Sequence, residues 1–400
     1  MRISTSQIHR QGSDAIVEHQ AGLAQQQLRL ASGRRTLSPS EDPAAAVQSL
    51  ALRSATDATR QYQRNGDLAE ARLGASETVL TAVSDNLQRV RELTLQAANA
   101  SQTDATRGDI ASEIEQRLAE LLDLANTRDA NGEYLYAGFQ SGQRPFTRSS
   151  EGIRYDGDDG QRFVALGQDR QVAVGDSGRD LFVDVPAGNG TFDVAVAAGN
   201  TGSGVIETGS VTDPGAFDQG SWRIEFTAAD RFAVRDGSGA LIAIDQPWVS
   251  DAAIGAIPGI EVVIEGAPAA GDAFVIEPAG RRDLFTVYQQ LVDTLRTSSA
   301  GEAAGARFQT GMNRALTALD GGLGHIQDAR ARLGARLSGI DNQRSVNEAT
   351  LLQLESTRSK LEDLDFVTAI SQFQQQLSSL EAARASFARI QGMSLFDFLR

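Results

Sequence analysis

The chain has 400 residues and no cysteine, which excludes disulfide bonds and thiolate metal sites. It contains only three histidines (His9, His19 and His325), all in segments of helical pattern or at the start of one, and we interpret each as a helix-surface residue. HExxH, GxSxG and GxxxxGK[ST] patterns are also missing. Common hydrolase and nucleotide-binding sites therefore lack their parts, and we expect neither an enzyme nor a cofactor.

No apolar run approaches the roughly 18 residues that a membrane-spanning helix needs. The opening MRISTSQIHRQGSD has no apolar stretch of the secretory-signal type. By themselves these two features predict a cytoplasmic protein without a membrane anchor. The formal net charge of −15 argues against nucleic acid as a partner, because nucleic-acid binders normally carry a basic patch.

Glycine and proline are scarce outside the middle of the chain. Residues 137–280 hold most of the 39 glycines and nine prolines, with short β-branched and aromatic runs between the turns. Such a pattern is typical of short strands in an all-β module. The runs that we interpret as strands are RFVAL (162–166), VAVGD (172–176), WRIEF (222–226), ALIAI (240–244) and EVVIE (261–265).

The flanks are rich in alanine, leucine, glutamine and arginine and indicate long helices. From Leu316 to Leu361 ten of fourteen positions at 3–4 spacing are apolar, which predicts a long helix with an apolar stripe. The four polar interruptions are Arg330, Arg344, Asn347 and Arg358. A weaker stripe runs from Leu52 to Ala97. Each stripe needs a partner, and the simplest partner is the other flank. The residues expected to form the rod core are Leu316, Leu319, Leu323, Ile326, Leu333, Leu337, Ile340, Leu351 and Leu354.

We therefore expect an α+β fold in which long antiparallel terminal helices form a coiled-coil rod with an inserted all-β domain. Local signals agree with this. Asp42 suits a helix N-cap and Pro43 the first helical position. Thr103 or Asp104 is expected to cap a helix over 105–126, and Asn131-Gly132 marks a tight turn.

Both ends of the chain carry their own apolar repeats. A leucine or isoleucine recurs every seventh residue over 16–37. Over 370–387 five of six successive positions at 3–4 spacing are apolar, with Arg384 the exception. We predict that the two ends pair as a coiled coil whose remaining apolar surface is covered by neighbouring subunits, since so short a pair alone is marginal in water. The predicted subunit-assembly residues are Ile16, Leu23, Leu30, Leu37, Ile370, Phe373, Leu377, Leu380, Phe387 and Ile390.

The acidic turn YDGDDG (155–160) is the only candidate for a metal. Asp156, Asp158 and Asp159 offer oxygen ligands of the kind that calcium prefers, but the glycine and glutamate positions of an EF-hand are not met. We favour a β-turn with solvated acids and predict no metal site. The glycine-rich GNTGSG (199–204) is interpreted as a loop.

Several segments resemble the bacterial flagellin family. LRLASGRRTLSPSEDPAAA (28–46) is similar to the signature near the N-terminus of flagellins and their relatives. GEYLYAGFQSGQRPF (132–146) and LEDLDFVTAISQFQQQLSSLEAARASFARIQGMSLFDFL (361–399) resemble the hook-filament junction members of that family. The matches cover both helical flanks, whereas 186–280 resembles nothing recognisable.

The resemblance implies a structural subunit of the bacterial flagellum, exported through the flagellar type III system without a cleaved signal peptide. It implies an extracellular junction layer between the hook and the filament. The implied partners are further copies of the chain in a ring-like or helical layer, the first hook-associated protein, flagellin, and an export chaperone on the C-terminal helix. The lack of a signal peptide then no longer indicates the cytoplasm.

The implied flagellin-like organisation has three domains: 1–43 with 362–400 as a terminal coiled-coil assembly domain, 44–185 with 281–361 as a helical rod domain with a β-hairpin region, and 186–280 as a variable β-rich outer domain.

Two alternatives remain. The first is a flagellin filament subunit, although EDPAAAVQS (41–49) and the SLFDFLR ending differ from the flagellin pattern. The second is a surface enzyme or adhesin carried by 186–280.

Overall fold

The computed structural model describes residues 5–150 and 152–392. The chain divides into two compact units: unit 1 consists of Met1–Arg64 with Gln343–Arg400, and unit 2 of Asn65–Asn342. Both boundaries fall inside long helices. The division into three domains stays a prediction.

Six α-helices account for most of the described residues. A single π-helical turn, Arg179–Val183, lies between the strands β4 and β5. The helices are α1 (Thr5–Ser32), α2 (Pro43–Ala98), α3 (Asp104–Ala125), α4 (Leu284–Arg296), α5 (Glu302–Glu362) and α6 (Phe366–Gly392).

Fifteen short strands occupy the middle of the chain. They are β1 (Phe146–Ser149), β2 (Gly152–Tyr155), β3 (Phe163–Ala165), β4 (Gln171–Ala173), β5 (Val185–Pro186), β6 (Phe192–Val196), β7 (Val205–Ile206), β8 (Ser210–Val211), β9 (Trp222–Ala228), β10 (Arg231–Asp236), β11 (Leu241–Pro247), β12 (Ala253–Ile254), β13 (Ile260–Glu265), β14 (Ala273–Pro278) and β15 (Arg281–Arg282). All five runs that the sequence marked as strands contain or overlap one of these elements.

The helix starts follow the capping residues. The amide of Ala45 donates to Asp42 Oδ1 at 2.9 Å, and α2 begins at Pro43. Thr103 caps α3 in a reciprocal capping box with Thr106. Gly132 adopts a positive φ of 81° in the turn after Asn131, a conformation that glycine adopts without strain. The predicted caps and this turn are therefore confirmed.

The core of unit 2 combines α3, α4 and the parts of α2 and α5 that belong to it. Helices α2 and α5 run antiparallel there: Arg330 pairs with Glu77 at 2.7 Å and Arg91 with Asp320 at 2.6 Å. Helix α4 is inserted beside them, and Tyr288 Oη donates to Asn86 Oδ1 of α2 at 2.7 Å. Helices α2 and α5 pair as expected, but α3 and α4 also contribute buried residues to the same core.

A second, separate apolar cluster lies wholly within residues 192–276. It is formed by a five-stranded antiparallel sheet in the order β11-β10-β9-β14-β6 and a smaller sheet around β13. In β9 the side chains of Trp222, Ile224 and Phe226 are buried in alternation with less buried neighbours, as the two-residue period of a strand requires. The chain thus has the α+β fold expected from its sequence.

The β module, residues 187–279, is connected at its two ends to the strand pair β5–β15. Strand β5 pairs with β15, and the amide of Ala187 donates to the carbonyl of Gly280 at 3.0 Å. The two ends of the segment 187–279 therefore lie side by side.

Candidate functional site

In unit 1, α1 and α6 pack against each other in antiparallel orientation. Gln26 Nε2 donates to Gln372 Oε1 at 2.9 Å, about two turns from the end where α1 stops and α6 begins. Near one end, Gly12 lies so close to the ring of Phe387 that a Cβ at position 12 would be 2.7 Å from Cδ2. At the other end, the ring of Phe366 approaches Gly33.

This pairing divides the predicted assembly residues into groups. Leu380 is 4% exposed, and Phe373 and Phe387 are half-buried, whereas Ile370 and Leu377 are 46% and 38% exposed. Position 390 belongs to α6, but its side chain lies outside the described residues. On α1, Ile16, Leu23 and Leu30 are half-buried, as is Leu37 in the turn that follows α1.

The predicted rod-core residues also fall into groups. Residues Leu319, Ile326, Leu333 and Ile340 are buried in the core of unit 2. In unit 2 the other positions of the stripe are only half-buried, because each precedes a buried position by three residues and so points to one side of the buried face. The half-buried group in unit 2 comprises Leu316, Leu323 and Leu337, and the half-buried pair in unit 1 comprises Leu351 and Leu354.

Unit 1 has almost no apolar core of its own. Among its described residues, only Ala369 and Leu380 are fully buried hydrophobic residues. Large apolar side chains instead face outward, and Val367 is 82% exposed. Exposed apolar side chains in this number are available for burial against other molecules, so unit 1 is the candidate functional site. Its exposed large hydrophobic residues are Val17, Leu28, Val47, Leu50, Val346, Leu352, Phe366, Val367, Ile370 and Leu377.

The turn between α1 and α2 is bonded to the turn between α5 and α6. Arg34 and Asp363 form an antiparallel β-bridge. In this bridge the amide of Arg35 donates to the carbonyl of Glu362 at 2.8 Å, and the amide of Leu364 donates to the carbonyl of Gly33 at 2.9 Å. We call these two bonded segments, 33–42 and 361–365, the double turn.

Two carboxylates hold the double turn against the helices. The amide of Leu37 donates to Glu41, and this bond, with those from Gln25 and Arg29, lowers the pKa of the Glu41 carboxyl. Glu362 accepts from Ser49 and from Arg53. Burial alone would raise the pKa of Glu362, but these two donors outweigh it, and the net shift is downward.

Two adjoining hollows lie beside the double turn. The first, of about 420 Å³, is lined by apolar residues that include Leu37, Val47, Leu50 and Leu361. The second, of about 340 Å³, is lined by Arg34, Arg53 and Arg358 with Thr56, Asp57 and Glu362. Arg34, Arg53 and Glu362 line both hollows, so an apolar surface passes directly into a basic one.

Sequence patterns indicated the helix ends at this site but not the bonding between the turns. SGRRTLSPSEDP (32–43) contains the expected turn residues, and Gly33 has a positive φ of 67°. Nothing in either segment reveals that the other lies beside it, because the two are separated by most of the chain. The sequence likewise does not show which apolar side chains of unit 1 are exposed, because exposure depends on how the helices pack.

The acidic turn 155–160 is held by local bonds within unit 2. Asp156 accepts from Thr147 and Arg154, and Asp159 accepts from Ser177 and Arg179. Asp158 accepts from the amides of Phe139, Gln140 and Gly160, which lower the pKa of its carboxyl. The three carboxylates thus have separate partners.

In the described ranges, no group of three or more His, Cys, Asp or Glu residues is arranged to hold a metal ion. Nor does any helix of those ranges have the length and apolar character to cross a bilayer.

Comparison with known proteins agrees with these features. Residues 3–141 match the bacterial flagellin N-terminal helical region. Flagellar hook-associated protein 3 of Escherichia coli strain K12 is 24% identical over 99% of both chains. The flagellar junction protein FlgL from Legionella pneumophila is 30% identical with a TM-score of 0.73, covering 79% of this chain and all of that one.

FlgL of Xanthomonas campestris is 32% identical and superimposes with a TM-score of 0.72, over 77% of this chain and 99% of that one. The paired helices, the inserted β module and these similarities together show that the chain belongs to the family of flagellar hook-associated protein 3, FlgL.

Proposed function

We propose that the chain is a structural subunit of the bacterial flagellum that forms the junction layer between the hook and the flagellin filament. One observation carries this proposal: unit 1 exposes ten large apolar side chains and fully buries only two hydrophobic residues among those described. Burying a large apolar side chain contributes about 1.5–3 kcal/mol. Neighbouring subunits would supply that burial in an assembled layer.

The assembly residues have distinct roles in this proposal. Leu380, Phe373 and Phe387 hold α6 against α1, with Ile16, Leu23 and Leu30 on the other side of the pair. Ile370 and Leu377 remain exposed and would contact the next subunit, as would residue 390. Leu37 lines the apolar hollow of the double turn. In unit 2, buried Leu319, Ile326, Leu333 and Ile340 keep the helices in place and have no direct role in contact.

Unit 2 offers a second contact surface. A groove of about 670 Å³ is lined by Leu68, Phe139 and Phe163, which are 56%, 61% and 58% exposed. Arg72 and Asp129 also line the groove and form an ion pair at 2.9 Å. Because their charges cancel, this pair adds no net charge to the groove. We propose that this groove helps to set the lateral spacing of subunits.

The proposed partners are further copies of the chain in a ring-like or helical layer, the first hook-associated protein below it and flagellin above it. We further propose that an export chaperone binds α6 and that the chain is exported through the flagellar type III system without a cleaved signal. The role proposed here is structural rather than catalytic. The extracellular position follows from these assignments.

A flagellin filament subunit is the alternative. It is supported over part of the chain, by the match of residues 3–141 to the flagellin N-terminal region. Similarity to hook-associated protein 3 extends over 99% of the chain, including the β module. The junction role is therefore the better supported of the two.

A gene deletion distinguishes the two roles. Electron microscopy of the deletion strain should show hooks without filaments, and flagellin should accumulate in the medium. A filament subunit would give a different result: hooks still capped by the other junction proteins and no flagellin in the medium. Full filaments in the deletion strain would contradict both roles.

A further inference from the structure

We propose that the two hollows beside the double turn of one copy bind the segment 394–399 (SLFDFL) of a second copy. This inference rests on the proposed assembly of the chain into a layer of identical subunits. It assigns the hollows one occupant, and the occupant is a segment of the same chain.

The chemistry of the hollows is matched by the composition of the segment. Val47 and Leu50, which line the apolar hollow, are 70% and 66% exposed. The segment carries Leu395 and Phe396 before Asp397, and Phe398 and Leu399 after it. Large apolar side chains that leave water on binding contribute favourably, and the exposed floor of the hollow offers them a surface.

Charge provides the second match. Arg34, Arg53 and Arg358 line the basic hollow together with Asp57 and Glu362, which leaves one positive charge in excess. Asp397 is the single acid of the segment and stands between its two apolar pairs. Because the basic hollow adjoins the apolar one, the segment can place Asp397 in the basic hollow while its apolar side chains occupy the apolar hollow. Arginine is well suited to bind a carboxylate through paired hydrogen bonds.

The reach of the chain requires a second copy. Helix α6 runs from Phe366, beside the double turn, to Gly392. At 1.5 Å per residue its far end lies about 39 Å away from Phe366. The seven residues from Gly392 to Leu399, fully extended, span at most about 25 Å. A copy cannot bring Leu399 back to its own double turn, so the segment must come from another copy.

Disulfide crosslinking tests the contact, because the natural chain has no cysteine. Flagella are isolated from cells that carry the full chain with Leu50→Cys and Leu399→Cys and are then oxidised. We expect a crosslinked dimer and higher species. The matched control pairs Leu399→Cys with Leu352→Cys, which is 71% exposed in the same unit but lines neither hollow, and should stay monomeric.

The outcomes separate the inference from the proposed function. Chain absent from the flagella of cells with the natural gene would contradict the proposed function. The inference would be overturned if the double-cysteine chain is present in flagella but forms no crosslink. A crosslink within one copy, or equal crosslinking in the control, would overturn it as well. A crosslink to another flagellar protein alone would assign the hollows to that protein instead.

A charge exchange keeps the proposal testable if the cysteine pair blocks incorporation. Arg34→Asp and Asp397→Arg are each expected to reduce the amount of chain in isolated flagella. Their combination should restore it, because the opposite charges face each other again. If the double variant is as poorly incorporated as the worse single variant, Asp397 does not bind beside Arg34.

Discussion

Gln26 and Gln372 join α1 to α6 through a side-chain hydrogen bond of 2.9 Å at a position where Gln26 is only 6% exposed. A buried polar pair between two helices specifies their register and reduces their stability relative to an apolar pair. The pair therefore fixes how the two helices align. It also leaves their association weaker than an apolar contact would.

Replacing the buried glutamine tests this function. Gln26→Leu should make the α1–α6 pair more stable, because an apolar side chain then occupies a buried position. Hydrogen exchange of α1 and α6 amides in the full chain measures the change, and protection should increase. Gln27→Leu, at an exposed position of the same helix, is the control. Lower protection in Gln26→Leu than in the control would show that the amide pair itself holds the helices together.

The core of unit 2 gives a second prediction. Leu333 is fully buried, whereas Leu337 is half-buried, so position 333 is the sharper test. Leu333→Ala should leave a cavity and reduce the free energy of unfolding by about 2–5 kcal/mol. Thermal unfolding followed by circular dichroism measures it. Exposed Ser338→Ala on the same helix should change stability by less than about 0.5 kcal/mol. Similar effects of both changes would contradict this assignment of the buried face.

Acid sensitivity should come from Asp193 in β6. Burial raises the pKa of its carboxyl, but Arg314 at 2.7 Å and Arg282 at 2.9 Å outweigh burial and hold the pKa below the ordinary value. A carboxyl with a lowered pKa adds stability above about pH 4, and that stability is lost as the pH falls through the folded-state pKa. Asp193→Asn should thus destabilise the β module at pH 7 and have little effect near pH 2.

Fluorescence provides the measurement, because Trp222 and Trp248 both lie in the β module and are the only tryptophans of the chain. Denaturant unfolding at pH 7 and near pH 2 gives the free energy of unfolding of the natural chain and of Asp193→Asn at each pH. Asp180→Asn is the control, since its ion pair with Arg332 is about half exposed and such pairs contribute little. An equal loss at both pH values would contradict the linkage to this carboxyl.

Assembly should depend on the exposed side of α6. Ile370→Asp places a charge where a neighbouring subunit would bury an apolar side chain, so the variant should fold normally but fail to restore filaments in a deletion strain. Ala382→Asp introduces the same charge at another exposed position of α6. Motility and electron microscopy compare the two. Loss of helicity in purified Ile370→Asp would instead mean that the residue stabilises the monomer.

The β module should be removable. Its ends meet where Ala187 bonds to Gly280, so deletion of 187–279 with a short flexible linker should preserve the helical core of unit 2. Circular dichroism measures the remaining helicity. Deletion of 284–296 is the contrasting variant, because α4 contributes seven buried residues to that core and its loss should unfold unit 2. Aggregation of the first variant would show that the module supports the helices.

The sequence predicted the helices and strands more completely than the tertiary contacts between them. Capping at Asp42 and Thr103 and the alternating strand at Trp222 depend on neighbouring residues, so they could be predicted locally. The division of the α6 stripe into buried Leu380 and exposed Ile370 could not, because it depends on which side α1 covers. The sequence places α4 in a helical flank but does not reveal its separate role in the core, because that role depends on which helices it packs against.

The same limit explains the double turn. Gly33 and the Asp42–Pro43 pair marked the ends of two helices, yet their bonding to residues 362–364 is a non-local contact that no short-range pattern reports. The hollow lined by Val47 and Leu50 depends on that contact. Sequence periodicity thus indicated which helices carry apolar residues, while the hollow needed the three-dimensional arrangement.

The bridge between Arg34 and Asp363 joins residues that are far apart along the chain, which affects when it can form. Its two strands are separated by most of the polypeptide, and closing so long a loop in an unstructured chain costs roughly 5 kcal/mol of entropy. Prior folding of residues 65–342 would shorten the effective loop, so we expect the bridge to form late. If the chain is exported in an extended form, as we propose, the double turn is completed only after residue 363 has emerged. Truncated or stalled chains lack the bridge, and with it the surface that we propose binds the next copy.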